Sequence, residues 1–260
     1  MKKIKLEELE IPSARLDPKL GGVRIVQVTD IHLSGPPGRV LRQAADQVAR
    51  LEPDLLVFTG DAVNRRGAWG DAAAWLRDLP ATTAKLAVPG NWDYPRGGLP
   101  AFQEAMDAAG FQALINQTVR VELRGGALDV VGFDDVRYGN AVIPKGEAGE
   151  RTGPFVLALC HSPDVLLELH PSRFDLLLCG HTHGGQVRLP GYGALLTSTK
   201  IGKRYEGGFY EPLPGHYVHV SRGLGEGMIK LRFLCPPELA RFTLRGVSSK
   251  SQIRNSKSES

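Results

Sequence analysis

The sequence predicts an α/β protein whose first half builds a parallel sheet and whose second half builds another sheet. Three observations predict it. Up to Gly110, aliphatic and β-branched runs alternate with segments that are apolar at helical spacing, the pattern of βαβ units. Beyond Gly110 the texture turns to short strands separated by turn residues. Several of the apolar runs also end in Asp, His or Asn.

Residues 23–29 read as a strand running into Asp30 and His32, followed by a Gly/Pro turn at 35–38. Val40, Leu41, Ala44, Ala45, Val48 and Leu51 recur at helical spacing, and Pro53 stops that helix before a strand over 54–59. A helix over 71–79, a buried-type strand over 85–88 and a helix over 99–109 closed by Gly110 extend the alternation. Strands over 118–124 and 128–133 flank a hairpin turn at Arg124, Gly125 and Gly126. Residues 139–153 are Gly-rich, charged and aperiodic, a surface loop able to reach over a site. Strands over 155–160 and 174–179 run into His161 and into Gly180-His181-Thr182-His183. The Ser/Lys-rich tail, 246–260, is expected to be disordered.

Composition bounds the class. At 260 residues, 42% hydrophobic and 23% charged, the chain is an ordinary globular protein, and one domain is the natural division: an extension over 1–22, a domain over 23–245 and the tail. The net charge of +4 is spread along the chain, which suits mild attraction to phosphates or anionic lipid rather than a dedicated polyanion site. Cys160, Cys179 and Cys235 have neither disulfide-framework nor zinc-type spacing and fit a reducing compartment. The N-terminus lacks a signal-type apolar region, and no run reaches the ~20 apolar residues of a bilayer span. The expectation is a soluble, cytoplasmic protein whose contact with the inner membrane, if any, is peripheral.

The chemistry lies at the strand ends: Asp30 and His32, Asp61 after Gly60, Asn91 after Gly90, His161, then His181 and His183. In open α/β sheets, ligands gather beyond the carboxyl ends of parallel strands, so these distant residues converge if their strands are neighbours. Mixed imidazole and carboxylate donors suit manganese, iron or zinc better than magnesium or calcium. Seven donors exceed one tetrahedral ion and suit two ions about 3.5–4 Å apart, the arrangement that clamps attacking and leaving oxygens in phosphoryl transfer. Each piece alone has an ordinary reading: a strand-end Asp caps a turn, and paired loop histidines are often solvated. The ordered series carries the weight.

Asp30-x-His32, Gly60-Asp61-x-x-Asn64, Gly90-Asn91-x-Asp93, His161 and Gly180-His181-Thr182-His183 resemble, in order, the blocks of the calcineurin-like metallophosphoesterases. Residues 180–189 and Ser221-Arg222-Gly223-Leu224-Gly225 resemble a bacterial branch that includes membrane-associated phosphodiesterases and a UDP-2,3-diacylglucosamine pyrophosphatase of lipid A synthesis. The resemblance implies a four-layer αββα sandwich, two mixed sheets flanked by helices. It implies two divalent ions, manganese favoured over iron or zinc. Asp30, His32 and His183 would hold one, Asn91, His161 and His181 the other, and Asp61 would bridge them. Asp61, Asn91 and His161 would be catalytic, and a metal-bridging hydroxide the nucleophile. The substrate would be a phosphodiester or pyrophosphate, small or lipid-linked.

One position departs from the family. Trp92 stands where a histidine usually protonates the leaving oxygen, and an indole cannot act as an acid. Asp93, the usual partner of that histidine, is left without it. A missing acid matters least when the leaving group is already a stable anion, so Trp92 points to anhydrides or aryl esters.

Other residues read more plainly. His216 and His219 are strand residues, offered as substitute acids but better explained as structure, and His170 lies at the surface. Arg204 and Tyr205, in the Gly-rich segment 200–210, offer a phosphate grip against the simpler reading of a loop. Cys160 and Cys179 belong to the core. The apolar stretch 228–234, with Lys230 and Arg232, reads as a core strand before a membrane-facing one. Two other functions compete: a nuclease, disfavoured by the scarcity of aromatic residues interleaved with basic ones, and a non-catalytic scaffold, disfavoured because all seven ligands are present.

Overall fold

The structure is a computed structural model and describes residues 3–146, 153–227 and 230–247. The first sheet orders its strands β1 (Lys5–Ser13), β14 (Glu238–Gly246), β2 (Arg24–Val28), β3 (Leu55–Phe58), β4 (Ala84–Ala87) and β5 (Gln112–Ala113), all parallel except for the β14–β2 pairing. The second orders β12 (Gly208–Leu213), β13 (His216–Val220), β9 (Leu176–Cys179), β8 (Val156–Leu159), β7 (Gly126–Gly132) and β6 (Gln117–Leu123). Its inner four are parallel and its two edges antiparallel. A small hairpin joins β10 (Arg188–Leu189) to β11 (Gly193–Ala194).

Because side chains alternate along a strand, each buried strand supplies two cores. Ile25, Leu55, Val57 and Leu86 meet Leu157, Leu159, Leu176 and Leu178 between the sheets. Val26, Val28, Leu56, Phe58 and Ala87 face outward onto the helices α1 (Arg39–Leu51), α2 (Trp69–Arg77) and α3 (Gly98–Ala108). α1 buries Leu41, Ala44, Val48 and Leu51, the stripe its spacing predicts. On the far side of the second sheet, Ala158, Cys160, Leu177 and Cys179 pack with Val165, Leu169 and Phe174, which come from and around the 3-10 turns Pro163–Leu167 and Pro171–Arg173. The layers are therefore helices, sheet, sheet and short 3-10 helices, the sandwich with two mixed, flanked sheets that the resemblance implied. Each fully buried Phe or Leu contributes roughly 1.5–3 kcal/mol.

Polar residues interrupt the inner core. Gln27 on β2 donates from Nε2 to Thr59 Oγ1 (2.9 Å) and to the Cys179 carbonyl (2.9 Å), and its Oε1 lies 3.0 Å from His219 Nδ1. It ties the two sheets together just behind their carboxyl ends.

Residues 1–22 are an extension by sequence. Their described part supplies β1, which pairs with β14 in register from Lys5 to Ser13. The loop 139–146 carries no regular structure, whereas residues 147–152 and the tail 248–260 lie outside the described residues.

Candidate metal centre

The residues singled out from sequence arrive from both sheets. Asp30 and His32 follow β2, Asp61 follows β3 and Asn91 follows β4; His161 follows β8, and His181 and His183 follow β9. β2, β3 and β4 are parallel neighbours, as are β8 and β9, so all seven side chains meet at one end of the sandwich. All are buried. Asp30, His32, Asp61, His181 and His183 hold left-handed backbone, with φ from 48° to 70°, a conformation sparsely populated by non-glycine residues and typical of functional turns. The loops also pack tightly. A Cβ on Gly90 would collide with Asp61, and one on Gly180 with Asp30.

The donor atoms form two groups that share Asp61: Asp30, His32, Asp61 and His183, and Asp61, His161 and His181. In the first, His32 Nε2 lies 3.0 Å from His183 Nε2, 3.5 Å from Asp61 Oδ2 and 3.9 Å from Asp30 Oδ1, and His183 Nε2 lies 3.4 Å from Asp30 Oδ1. In the second, His161 Nε2 lies 3.2 Å from Asp61 Oδ2, and His181 Nδ1 lies 3.3 Å from His161 Nε2. Asn91 Oδ1 joins this group, 3.1 Å from His161 Nε2 and 2.7 Å from His181 Nδ1. Donors bonded to one ion at about 2.0–2.2 Å stand roughly 3.0–3.5 Å apart, so these spacings fit divalent ions. The donor set is chemically right as well: imidazole and carboxylate in a buried pocket.

Partners outside the cluster aim the rings. His32 Nδ1 meets Asn64 Oδ1 at 3.0 Å, His161 Nδ1 meets the Thr59 carbonyl at 2.7 Å, and His181 Nε2 meets the Ser198 carbonyl at 3.1 Å. Each outer nitrogen donates, which turns the other nitrogen's lone pair inward when the ring is neutral. Asp30 is fixed by the Thr29 hydroxyl (2.8 Å) and by the backbone N–H of His181 (3.1 Å). Behind His183 lies Arg232, whose Nη2 is 3.3 Å from His183 Nδ1 and donates to the carbonyls of Arg222 (2.7 Å) and Gly225 (2.5 Å).

Charges within the cluster are set by burial first and neighbours second. Burial pushes Asp30 up to about 6 and His32 down to about 4. Burial and the facing His161 charge bring His181 to about 4, and burial holds His183 well below the usual imidazole range. For His161, burial disfavours the charge, but the Asp61 carboxylate outweighs it and raises the ring to about 10. Asp61, against the same burial penalty, is held well below the usual carboxylate range by His161 and His32. Three neutral imidazoles thus surround one imidazolium–carboxylate pair.

A cleft of about 350 Å³ opens onto the cluster, lined among others by Asp61, Asn91, Trp92, Arg96, Arg137 and His181. The Arg96 guanidinium lies 3.8 Å from the Trp92 ring centre, and the Trp92 ring stands edge-on to His32 at 5.4 Å. Among the described residues neither Arg96 nor Arg137 pairs with a carboxylate. These two arginines escaped the sequence reading. Arg96 sits four residues after Trp92, and Arg137 just precedes the loop read as able to cover a site.

The remaining candidates from the sequence lie elsewhere. His219 is buried between the sheets, 3.4 Å from Glu238, and His216 Nδ1 meets the Phe174 carbonyl. Neither lines the cleft, so the substitute-acid reading falls. Tyr205 is buried, packed edge-on to Tyr210, and Arg204 is exposed away from the cleft lining, which removes them as a phosphate grip. Arg222 faces the buried Glu238 at 3.5 Å. The stretch 228–234 is not the core strand expected: Leu231, Phe233 and Leu234 are exposed, and residues 228 and 229 lie outside the described residues. His170 is half-buried, its ring accepting the backbone N–H of Ser172. Cys160 and Cys179 are buried in the core, as read.

The chain is similar to proteins of one family. The calcineurin-like phosphoesterase family profile matches residues 23–185. An uncharacterized metallophosphoesterase of Bacillus subtilis, YkuE, is 33% identical over 94% of this chain and 87% of its own length. The Escherichia coli phosphodiesterase YaeI is 30% identical over 85% of this chain and 82% of its own. LpxG of Chlamydia muridarum, a UDP-2,3-diacylglucosamine pyrophosphatase, is 26% identical over 91% of this chain and 88% of its own.

Proposed function

We propose that this chain, which belongs to the calcineurin-like phosphoesterase family and is a phosphoester hydrolase, uses a dinuclear centre to cleave a pyrophosphate linkage. In this reading Asp30, His32 and His183 hold one divalent ion, Asn91, His161 and His181 the second, and Asp61 bridges. Manganese is the favoured ion, since the donors mix imidazole with carboxylate. Two bound ions would supply Lewis acidity toward phosphoryl oxygens and lower the pKa of water. The protein's own part is to orient. Asn64, Thr59 and Ser198 fix the rings, and Trp92 donates its backbone N–H to Asp61 Oδ1 at 2.8 Å, holding that carboxylate's second oxygen in place.

The observation that carries the choice of bond is Trp92. It occupies the wall of the cleft with no group able to protonate an alkoxide, so the leaving group has to depart as a stable anion. Arg96 and Arg137, without carboxylate partners among the described residues, suit a second phosphate, since guanidinium binds phosphate through parallel hydrogen bonds. A nucleotide-linked lipid of the kind named for LpxG meets both conditions.

The test is UMP release from UDP-2,3-diacylglucosamine by metal-stripped protein resupplied with manganese, with Asp61→Ala as control. Manganese-dependent release that disappears in the control supports the reading. Rapid turnover of simple alkyl phosphodiesters, with no release from the nucleotide-linked lipid, sinks it.

A further inference from the structure

We propose that the β10–β11 hairpin and the segment 230–234 together form a docking surface for an anionic lipid bilayer at the rim of the metal cleft. The two segments are one platform. Arg188 donates its backbone N–H to the Phe233 carbonyl (3.1 Å), Phe233 donates to the Gln186 carbonyl (2.9 Å), and Leu195 donates to the Val187 carbonyl (3.1 Å). Of the twelve large apolar side chains exposed among the described residues, seven lie here, so the exposure is concentrated rather than scattered. Leu196 is 74% exposed, Tyr192 61%, Leu234 56% and Leu231 55%. A soluble protein seldom leaves such a group in water without a partner.

Charge decides which partner. From residue 187 to 205 the chain has four basic residues and no Asp or Glu, and from 227 to 237 it has two and again no acid. Arg188 is neutralised by Glu206, and Arg232 is turned inward onto carbonyls. Lys200, Lys203, Arg204 and Lys230 remain exposed, without an ion pair among the described residues. Lys203 Nζ sits 3.2 Å from the centre of the Tyr192 ring. Apolar side chains in segments that also carry unpaired cations match a bilayer interface, where the apolar groups enter the acyl boundary and the cations meet anionic headgroups. A second copy of the chain would instead bring four cations against four.

The placement has a consequence for access. Gln186 and Ser198 border both the platform and the cleft, and the Ser198 carbonyl holds His181. A bilayer seated on the platform therefore brings its headgroups to the mouth of the cleft. This inference concerns binding and does not depend on which bond is cleaved.

The test is co-sedimentation of the metal-loaded full chain with phosphatidylcholine vesicles, with and without about a third phosphatidylglycerol. Binding to the anionic vesicles that weakens in high salt is the expected result. Lys200→Glu with Lys203→Glu should lower partitioning by roughly fivefold per cation or more. Leu196→Ser with Leu234→Ser should lower it at least tenfold. Both pairs should keep the melting temperature and the hydrolysis of bis(p-nitrophenyl) phosphate. No binding to anionic vesicles overturns the proposal. So does binding unaffected by either pair, or a dimer in solution that the leucine pair abolishes.

Discussion

Asp93 Oδ2 accepts the backbone N–H of Asp61 at 3.0 Å and that of Gly90 at 2.8 Å, while its Oδ1 accepts from Ala62 at 2.9 Å. The sequence left this carboxylate without a partner once Trp92 replaced the usual histidine. In the folded chain it braces the loop that carries Asp61 to the loop that carries Asn91. Asp93→Ala strands three buried N–H groups, and each buried donor left unsatisfied costs about 1–3 kcal/mol. The variant should lose roughly 3 kcal/mol or more of stability and bind metal poorly. Thermal unfolding with and without manganese measures both, and an unchanged melting temperature would rule out the brace.

Asn64 is a second case of support from outside the cluster. Its Oδ1 takes the His32 Nδ1–H while its Nδ2 donates to the His32 carbonyl at 2.8 Å, so one amide fixes both ring and backbone. Removing such partners typically lowers metal affinity 10–100-fold. Asn64→Ala should show that loss in calorimetric titration with manganese, with stability changed much less than in Asp93→Ala.

The site was legible because ligand-bearing strands declare themselves locally: an apolar run, then a Gly or a left-handed turn, then Asp or His. Asp30, Asp61 and His181 all follow this grammar, and the alternation of apolar runs with helical segments revealed the parallel order that unites them. What the sequence concealed depends on long-range pairing. β1 looked like an extension because its partner, β14, lies more than 200 residues away. Leu231, Phe233 and Leu234 have the composition of a core strand, and only the position of the β10–β11 hairpin leaves them uncovered. Arg96 and Arg137 acquire meaning from a cleft whose walls come from separate loops.

Protons should compete with metal at one residue above all. His161 is raised to about 10 beside Asp61, so in metal-stripped protein it is charged at pH 7 and, on the proposed ligand set, would surrender its proton to bind metal. Manganese binding at pH 7.5 should release about one proton, and affinity should rise about tenfold per pH unit toward pH 10. His32 and His181, lowered to about 4, are already neutral and add no such dependence. Calorimetry in buffers of different ionisation enthalpy reads the proton count, which His161→Ala should abolish.

The same shifts set the stability of the metal-stripped protein. For His32 and His181 the folded value lies below the unfolded value of about 6.5, so the unfolded chain binds more protons between pH 6.5 and 4 and stability falls as pH drops through that window. For His161 the folded value is raised. Its contribution is full below about 6.5 and is lost as pH rises through about 10. Asp30, raised to about 6, and Asp93, raised to about 7, act with the opposite sign over the same acid window, so the clear expectation is on the alkaline side: melting temperature should decline toward pH 10, and that decline should vanish in His161→Ala. A profile flat from pH 7 to 10 would contradict the His161 assignment.

Trp92→His puts the reading of the leaving group to its sharpest test. The indole stands between the Arg96 guanidinium and the His32 ring, on the cleft wall, and the backbone N–H that holds Asp61 is unaffected by the substitution. Asp93 Oδ1 accepts only the Ala62 N–H and keeps a lone pair, so an imidazole at position 92 has a carboxylate oxygen nearby to orient it. If the missing acid is what restricts the native enzyme to good leaving groups, the substitution should raise kcat on alkyl phosphodiesters by ~10²-fold, the scale of general-acid catalysis. An aryl ester, whose leaving group needs no proton, should change by less than about threefold. Steady-state rates on matched alkyl and aryl phosphodiesters decide the matter, because a merely steric effect of replacing indole would move both substrates together.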